Sequence, residues 1–180
     1  MKDSQVHSYI KLHITMTSER IEFEMQHEMR QKYHVLARGI ILSGEYLLVA
    51  HCIGMDNTFL PGGHVEFREG MQESLSREIF EEMGLQCEVK QYIGAVEAGY
   101  EDNNVYHQEI NHLFITDVHD IDPTRNPRSM EAHLEFYWIH VNEMDEHNLL
   151  PYPVREAVTH CKNGNRTPFW GSDIVSSGEC

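Results

Sequence analysis

One stretch, from Leu60 to Leu85, places a Pro-Gly-Gly turn just before an amphipathic helix, and it constrains the fold more than any other part of the chain. Its apolar residues recur at every fourth position, which on a helix gives a single stripe that must face a core. These residues are Met71, Leu75, Ile79 and Met83. The spacing predicts a helix over 71–83, and the glycine at position 84 is a typical closing residue.

Three glutamates share one side of the predicted helix. Glu78, Glu81 and Glu82 are spaced i, i+3 and i+4, so they flank the apolar stripe. Like charges at this spacing cost roughly 0.2–0.5 kcal/mol per pair, and the helix dipole disfavours anions in the last turns. A hard cation such as Mg²⁺ or Mn²⁺ removes both penalties, because it prefers carboxylate oxygens. A solvated acidic face is the plainer interpretation of three glutamates taken alone.

Residues around the helix complete a longer pattern. Gly63 and Glu69 precede the run Arg77-Glu78-Ile79-Phe80-Glu81-Glu82-Met83-Gly84-Leu85 at fixed offsets. At every defined position the pattern resembles the signature of the Nudix (MutT-like) hydrolase family. The resemblance is strongest from Val35 to Ala157, and the two ends of the chain lie outside it.

The resemblance implies an α/β fold of the Nudix type, in which a mixed β-sheet is sandwiched between helices (α/β/α). It also implies a metal-dependent hydrolase with Mg²⁺ or Mn²⁺ as cofactor. Such an enzyme cleaves a phosphoanhydride (pyrophosphate) bond in a nucleoside diphosphate-linked small molecule. The alternative is a Nudix-fold module that binds or senses a nucleotide without cleaving it, which the intact signature disfavours.

The family's metal ligands are carried over by position. A backbone carbonyl of the Gly-Gly turn joins the helix carboxylates, which gives the set Gly62, Glu78, Glu81 and Glu82. The resemblance also implies a buried pair between Glu69 and Arg77 that fixes the loop against the helix. Gly63 and Gly84 are the remaining structural positions of the motif.

The carboxylate that accepts the proton of the attacking water varies within the family. The predicted catalytic residues are Arg77, Glu78, Glu82 and Glu131. Glu78 and Glu131 are the candidate bases. Glu131 stands at the end of the long connection from His119 to His133, and long loops are often functional. Glu109 and Glu135 are weaker candidates, since strand alternation can turn either side chain to solvent. A surface carboxylate is the plainer interpretation of each later glutamate.

Substrate contacts are harder to predict. Arg125 and Arg128 lie in the same connection and are candidates for phosphate binding, although solvated loop arginines are commoner. Tyr100 stands where ADP-ribose hydrolases of the family often carry a proline. A tyrosine near this offset resembles the dinucleoside-polyphosphate hydrolases, so Tyr100 is a third candidate.

The charge composition of the chain limits the kinds of molecule that it can bind. The 180 residues include 14 Lys and Arg against 29 Asp and Glu, a formal net charge of −15. Such a balance argues against binding of a nucleic-acid polymer or an anionic membrane by bulk charge. No apolar run approaches the roughly 18 residues of a membrane span. The first residues lack the apolar block of a secretory signal, and the cysteines form no CxxC pair, so we expect a cytoplasmic protein.

The chain divides into three parts. We expect an N-terminal extension over 1–33, a Nudix hydrolase domain over 34–162 and a C-terminal tail without regular structure over 163–180. Alternation at Ile10, Leu12 and Ile14 predicts a short strand in the extension, and the stripe Ile21, Met25 and Met29 predicts a helix. These are too few residues for a separate core, so we expect the extension to pack on the domain or on a second subunit of a homodimer.

Within the domain, apolar runs predict the remaining elements. Val35–Leu42 and Tyr46–Cys52, joined by a turn at Ser43-Gly44-Glu45, predict a β-hairpin. Further strands are predicted at Cys87–Val96, Tyr106–Val118 and Leu134–Val141, and a closing helix at Pro153–Lys162.

Overall fold

A computed structural model describes residues 30–165 and 167–174. The predicted strand and helical stripe of the extension lie outside the described residues. In the part of the chain that the structure describes, no helix is long and apolar enough to cross a membrane.

The described chain contains nine strands, two α-helices and one 3₁₀ helix, Val141–Glu143. The helices are α1 (Met71–Met83) and α2 (Pro153–Lys162). The strands are β1 (Arg30–Ile40), β2 (Leu42–Ser43), β3 (Tyr46–Cys52), β4 (Thr58–Phe59), β5 (Gly62–His64), β6 (Cys87–Asp102), β7 (Val105–Val118), β8 (Leu134–His140) and β9 (Phe169–Ser172).

These strands form two sheets. The larger one has the order β5-β1-β7-β6-β9 and is mixed, because β1 runs parallel to β7 while β5 runs antiparallel to β1. The second sheet contains β2, β3 and β4, with β8 paired to β3. Strands β6 and β7 form a hairpin whose two-residue turn, Asn103-Asn104, has positive φ at both positions, as a tight turn between twisted strands requires.

Each helix covers one face of the strands, because alternate residues of a strand point to opposite faces. Leu47 and Val49 of β3 pack in the core cluster that contains α2, whereas Leu48 and Ala50 pack in the cluster that contains α1. Leu75, Ile79 and Met83 of the predicted apolar stripe are buried, and Met71 packs partly buried against the same cluster. Gly84 ends α1 in the left-handed conformation. The α/β fold with strands between helices is thus confirmed.

The predicted hairpin between Val35–Leu42 and Tyr46–Cys52 is wrong in its first strand. The chain breaks at Ile41, β1 enters the larger sheet, and only Leu42 and Ser43 pair with β3 around the turn. Because Ile40 and Ile41 are both buried, each on a different face, the apolar run is continuous although the strand is not.

Three other boundaries differ from the sequence analysis. β1 begins at Arg30, inside the segment assigned to the extension, and β6 continues past Val96 to Asp102. In the segment predicted as a tail, β9 pairs in parallel with β6. Pairing with a distant strand stabilises these residues, and their own sequence carries little β signal.

Candidate active site

The turn before α1 brings its backbone against the helix glutamates. β5 pairs with β1, so that Ala37 faces Gly63. A Cβ atom on Gly63 would lie 2.5 Å from the carboxyl carbon of Glu78, and one on Gly62 would lie 2.3 Å from the Ala37 carbonyl oxygen. Gly62 also has φ of +117°. Gly62 needs to be glycine, because a Cβ there would clash with the backbone of Ala37 at a positive φ, whereas at Gly63 the close atoms belong to the end of the flexible Glu78 side chain.

Arg77 connects the loop to the helix glutamates. Its Nε donates to Oε1 of Glu69 at 2.8 Å and its Nη2 to Oε2 at 3.0 Å, a bidentate pair. Its Nη1 donates to Glu78 at 2.8 Å and to Glu81 at 3.0 Å. Nη2 also reaches the carbonyl of His64 at 3.2 Å. The guanidinium therefore holds three carboxylates and the loop backbone in one arrangement.

The Glu69–Arg77 pair is largely, but not completely, removed from water. The side chain of Glu69 is 13% exposed and that of Arg77 is 26% exposed. The hydrogen bonds from Arg77 lower the pKa of Glu69 to about 2, and those bonds raise the pKa of Arg77 in turn. The carboxylate thus stays ionised in mild acid.

The three helix glutamates, Glu78, Glu81 and Glu82, are called the acidic group, and Glu82 is its buried member. It is 6% exposed, and its Oε2 accepts the backbone N–H of Gly62 at 3.3 Å. Burial raises the pKa of Glu82 to about 7, Glu78 and Glu131 act in the same direction, and Arg38 and the Gly62 N–H oppose them. A buried carboxylate surrounded by other carboxylates is a group that a cation would stabilise in its charged form.

The connection between β7 and β8 packs on the end of α1. The backbone N–H of Met130 donates to the carbonyl oxygen of Glu82 at 2.7 Å. This contact brings Glu131 near enough to act electrostatically on Glu82, and Glu131 also pairs with His133 at 3.3 Å. Glu131 therefore lies beside the acidic group, whereas Glu135 pairs with His51 on β3.

Arg38, on β1, belongs to the site although the sequence analysis did not identify it. Its Nη1 donates to the carbonyl oxygens of Leu60, at 3.2 Å, and of Gly62, and its Nε donates to Asn111 at 3.3 Å. Its guanidinium carbon lies 5.2 Å from the ring centroid of Phe59. The carbonyl of Gly62, predicted as a metal ligand, thus already accepts from Arg38, which leaves one of its two lone pairs.

Arg38 also lines a cavity of about 750 Å³. Tyr100 of β6 and Glu109 and Asn111 of β7 line it. Burial raises the pKa of Tyr100, and the neighbouring Glu109 adds to this. Glu109 and Asn111 are two positions apart, so strand alternation in the sequence already places them on the same face of β7. The sequence does not show which face of β7 lines the cavity.

The two loop arginines are exposed and do not line this cavity. Arg125 pairs with Asp122, and its side chain is 81% exposed. Arg128 is also exposed. Their predicted contact with phosphates stays a prediction.

The helix glutamates have the chemistry of ligands for a divalent cation, but their side chains are not arranged around a common metal position. Among residues 30–165 and 167–174, no group of three or more His, Cys, Asp and Glu side chains is arranged to hold a metal ion. Glu78 and Glu81 bond to Arg77 instead, and Glu82 bonds to backbone. Carboxylate oxygens are nevertheless the ligands that Mg²⁺ and Mn²⁺ prefer. Within the part of the chain that the structure describes, Glu82 forms no ion pair with a basic side chain.

Comparison with known proteins agrees with this geometry. The model of the NUDIX domain family matches residues 32–159, which is most of the chain. The chain therefore belongs to the NUDIX domain family. Its class is that of the Nudix pyrophosphohydrolases, enzymes that hydrolyse phosphoanhydride bonds and generally use divalent metal ions.

Solved structures show the same fold at low sequence identity. A NUDIX hydrolase from Nitrosomonas europaea is similar with a TM-score of 0.58 and 20% identity, over 82% of this chain and 98% of that chain. The ORF135 protein of E. coli has a TM-score of 0.55 and 21% identity, over 74% and 94%. The MutT protein from Bacillus halodurans has a TM-score of 0.56 and 16% identity, over 77% and 88%.

Proposed function

We propose that the protein hydrolyses the phosphoanhydride bond of a nucleoside diphosphate linked to another small moiety, with Mg²⁺ or Mn²⁺ bound at the acidic group. The observation that carries the proposal is the environment of Glu82. This carboxylate is buried, and its pKa is raised to about 7 by burial and by the charges of Glu78 and Glu131. Arg38, whose charge also acts on Glu82, lines a cavity of about 750 Å³.

The side chains of the site have two separate roles, metal binding and the positioning of the metal ligands. Glu78, Glu81 and Glu82 are the ligands that would hold the metal, which when bound neutralises phosphate charge and acidifies a coordinated water. Arg77 bonds to Glu69 of the loop and to Glu78 and Glu81 of α1, so it holds the helix glutamates in a fixed position relative to the loop.

A carboxylate must accept the proton of the attacking water. Glu78 and Glu131 are the candidates, since both lie close enough to Glu82 to influence its pKa. Glu131 pairs with a histidine, whereas Glu78 pairs with Arg77, whose charge makes a carboxylate a weaker base. We therefore favour Glu131.

The acidic composition supports a small substrate and not a nucleic-acid polymer. With a formal net charge of −15, long polyanions are repelled, while a single nucleotide needs charge compensation only at the site. The proposed cytoplasmic location and the homodimer rest on the sequence alone.

The test is release of nucleotide from a panel of ADP-ribose, dinucleoside polyphosphates, nucleoside triphosphates and nucleotide sugars, with Mg²⁺ or Mn²⁺. We expect Glu82→Gln to lower kcat by about 100-fold or more, since a neutral amide neither holds the cation nor stabilises phosphoryl transfer. Glu73→Gln is the matched control, because Glu73 is exposed in the first turn of the same helix.

Two results would contradict the proposal. Equal rates for Glu82→Gln and the parent would show that the acidic group does not support hydrolysis. Nucleotide binding without turnover of any substrate, at either metal, would favour the non-catalytic binding module.

A further inference from the structure

We infer that the cavity beside Arg38 binds the base of the substrate and selects guanine, and that Glu109 is the residue that makes this choice. The inference rests on the proposed function, because it assigns the base of the proposed nucleotide substrate. It goes further by naming which nucleotide the site prefers.

The cavity has the size and walls of a base-binding site. Its volume of about 750 Å³ falls in the range of roughly 300–1,000 Å³ that small-molecule sites occupy. Arg38, Tyr100 and Glu109 of the larger sheet line it, and so do four residues around the start of α2, Leu150, Pro151, Tyr152 and Val154. Phe59 adds an aromatic ring. Apolar and aromatic walls with a few polar groups are typical of such sites.

Glu109 is held in place by its neighbours. The amide nitrogen of Asn111 donates to its Oε2 at 3.4 Å, and the hydroxyl of Tyr100 hydrogen-bonds to it. Asn111 is 2% exposed and is itself fixed by Arg38. The ring of Tyr100 stacks on His107 with centroids 4.9 Å apart and an interplanar angle of 5°.

A carboxylate fixed in this way still has acceptor capacity. An ionised carboxylate offers about four lone-pair sites, and two neighbouring donors leave about two for a ligand. Because the neighbours have already restricted its rotation, little entropy is lost when a ligand donates to it.

Two parallel acceptor oxygens match only one common base. Guanine presents N1–H and N2–H₂ side by side, so it can donate twice to one carboxylate. Adenine and cytosine place a ring acceptor next to their amino group, and uracil places carbonyl oxygens on both sides of its N–H. Each of these bases would bring a lone pair against Glu109, and an unpaired polar group costs binding energy.

The charge of the cavity supports a neutral base there and not a phosphate. Glu109 and Asp173 line it against one cation, Arg38. Arg38 connects the cavity to the acidic group, because its guanidinium donates to the carbonyl oxygen of Gly62, and the N–H of Gly62 donates to Glu82. A nucleotide would therefore place its base at Glu109 and its phosphates towards Glu78 and Glu82.

Binding of nucleoside monophosphates tests the inference without any hydrolysis. Calorimetric titration of the full chain with GMP, AMP, CMP and UMP should give the lowest Kd for GMP, by about tenfold or more, since a site built to hydrogen-bond a ligand rejects analogues without the donors. Glu109→Gln should weaken GMP binding by about tenfold or more and change the other three by less than about threefold. Glu101→Gln is the control, because Glu101 is exposed on the neighbouring strand.

A second variant covers the case in which Glu109→Gln fails to fold. Tyr100→Phe removes only the hydroxyl that bonds to Glu109, and it should weaken GMP binding more than AMP binding. Equal affinity for the four nucleotides would overturn the inference. A uniform loss in Glu109→Gln, with dGMP weaker than GMP in the parent, would also overturn it, because Glu109 would then contact the ribose.

These results separate the two claims. Selective GMP binding without hydrolysis of any substrate would support the base assignment and contradict the proposed function. Hydrolysis that shows no preference among bases would support the proposed function and overturn the base assignment.

Discussion

Arg77 shows how much of the site depends on a single side chain. It bonds to Glu69, Glu78, Glu81 and the carbonyl of His64, which together span the loop and about one turn of α1. Without it, three carboxylates would face one another with no cation between them. The metal proposed for the site would need to compete with this guanidinium or share the carboxylates with it.

We predict that Arg77→Met lowers stability in a pH-dependent way. Arg77 depresses the pKa of Glu69 to about 2, from an ordinary value of 4.5. A depressed pKa contributes stability above the unfolded-state pKa and loses it as the pH falls through the folded-state value. The difference in Tm between parent and variant should therefore be largest above pH 5 and shrink between pH 4.5 and 2. Thermal unfolding at several pH values measures it.

Lys90→Met is the control for this series. Lys90 forms an exposed ion pair with Glu88 on β6, and such pairs contribute only about 0–1 kcal/mol. Activity should also fall by about 10- to 100-fold in Arg77→Met, as is typical when a residue that orients metal ligands is lost. A difference in Tm that stays constant down to pH 2 would contradict the account of Glu69.

The sequence predicted the motif residues and missed their partners for physical reasons. The helix glutamates are brought together by local periodicity, which a sequence displays directly. Arg38 looks like a polar interruption in an apolar strand, and only the pairing of β1 with β5 and β7 brings it to Gly62 and Asn111. Glu109 is only a weaker candidate in the sequence, because alternation alone does not say which face of a long strand is covered.

Elements with strong local signals agree with their predicted bounds. α1 and α2 begin and end as predicted, since an apolar stripe, a terminal glycine and a first-turn proline mark them. β9 carries no such signal. It pairs with β6 from Gly94 to Glu97, directly after the positions where the pairing of β6 with β7 is irregular.

We predict that Gly94→Ala separates β9 from β6. A Cβ on Gly94 would lie 2.0 Å from the carbonyl oxygen of Phe169, and its φ of +149° is strained for other residues. The cost should be about 1–3 kcal/mol from backbone strain, with further loss from the clash. Denaturant unfolding measures it. Gly70→Ala is the control, because its Cβ would meet open space, and equal midpoints for the two variants would contradict the prediction.

At the scale of the whole molecule, the C-terminal segment links the sheet edge, α2 and the cavity. Phe169 packs against the core cluster that contains α2. Asp173 accepts the backbone N–H of Tyr152 at 2.7 Å and lines the cavity that contains Glu109. The same few residues therefore contribute to stability and to the shape of the proposed base site.

Removal of residues 166–180 should lower both stability and nucleotide affinity. Loss of the Phe169 contacts and of the β9 pairing should cost about 2–4 kcal/mol, which for a chain of this length lowers Tm by roughly 5–15 °C. GMP binding should weaken as well, because Asp173 no longer closes the cavity around Tyr152. The control is a chain that lacks only residues 175–180, and it should behave like the parent in both measurements.

A combination with Gly94→Ala makes the test sharper. If that substitution acts by displacing β9, most of its cost should disappear in the chain that already lacks residues 166–180, since two changes with a shared partner do not add. Full additivity would place the effect of Gly94 within β6 itself. Unchanged Tm and GMP affinity in the truncated chain would show that the C-terminal strand supports neither the sheet nor the cavity.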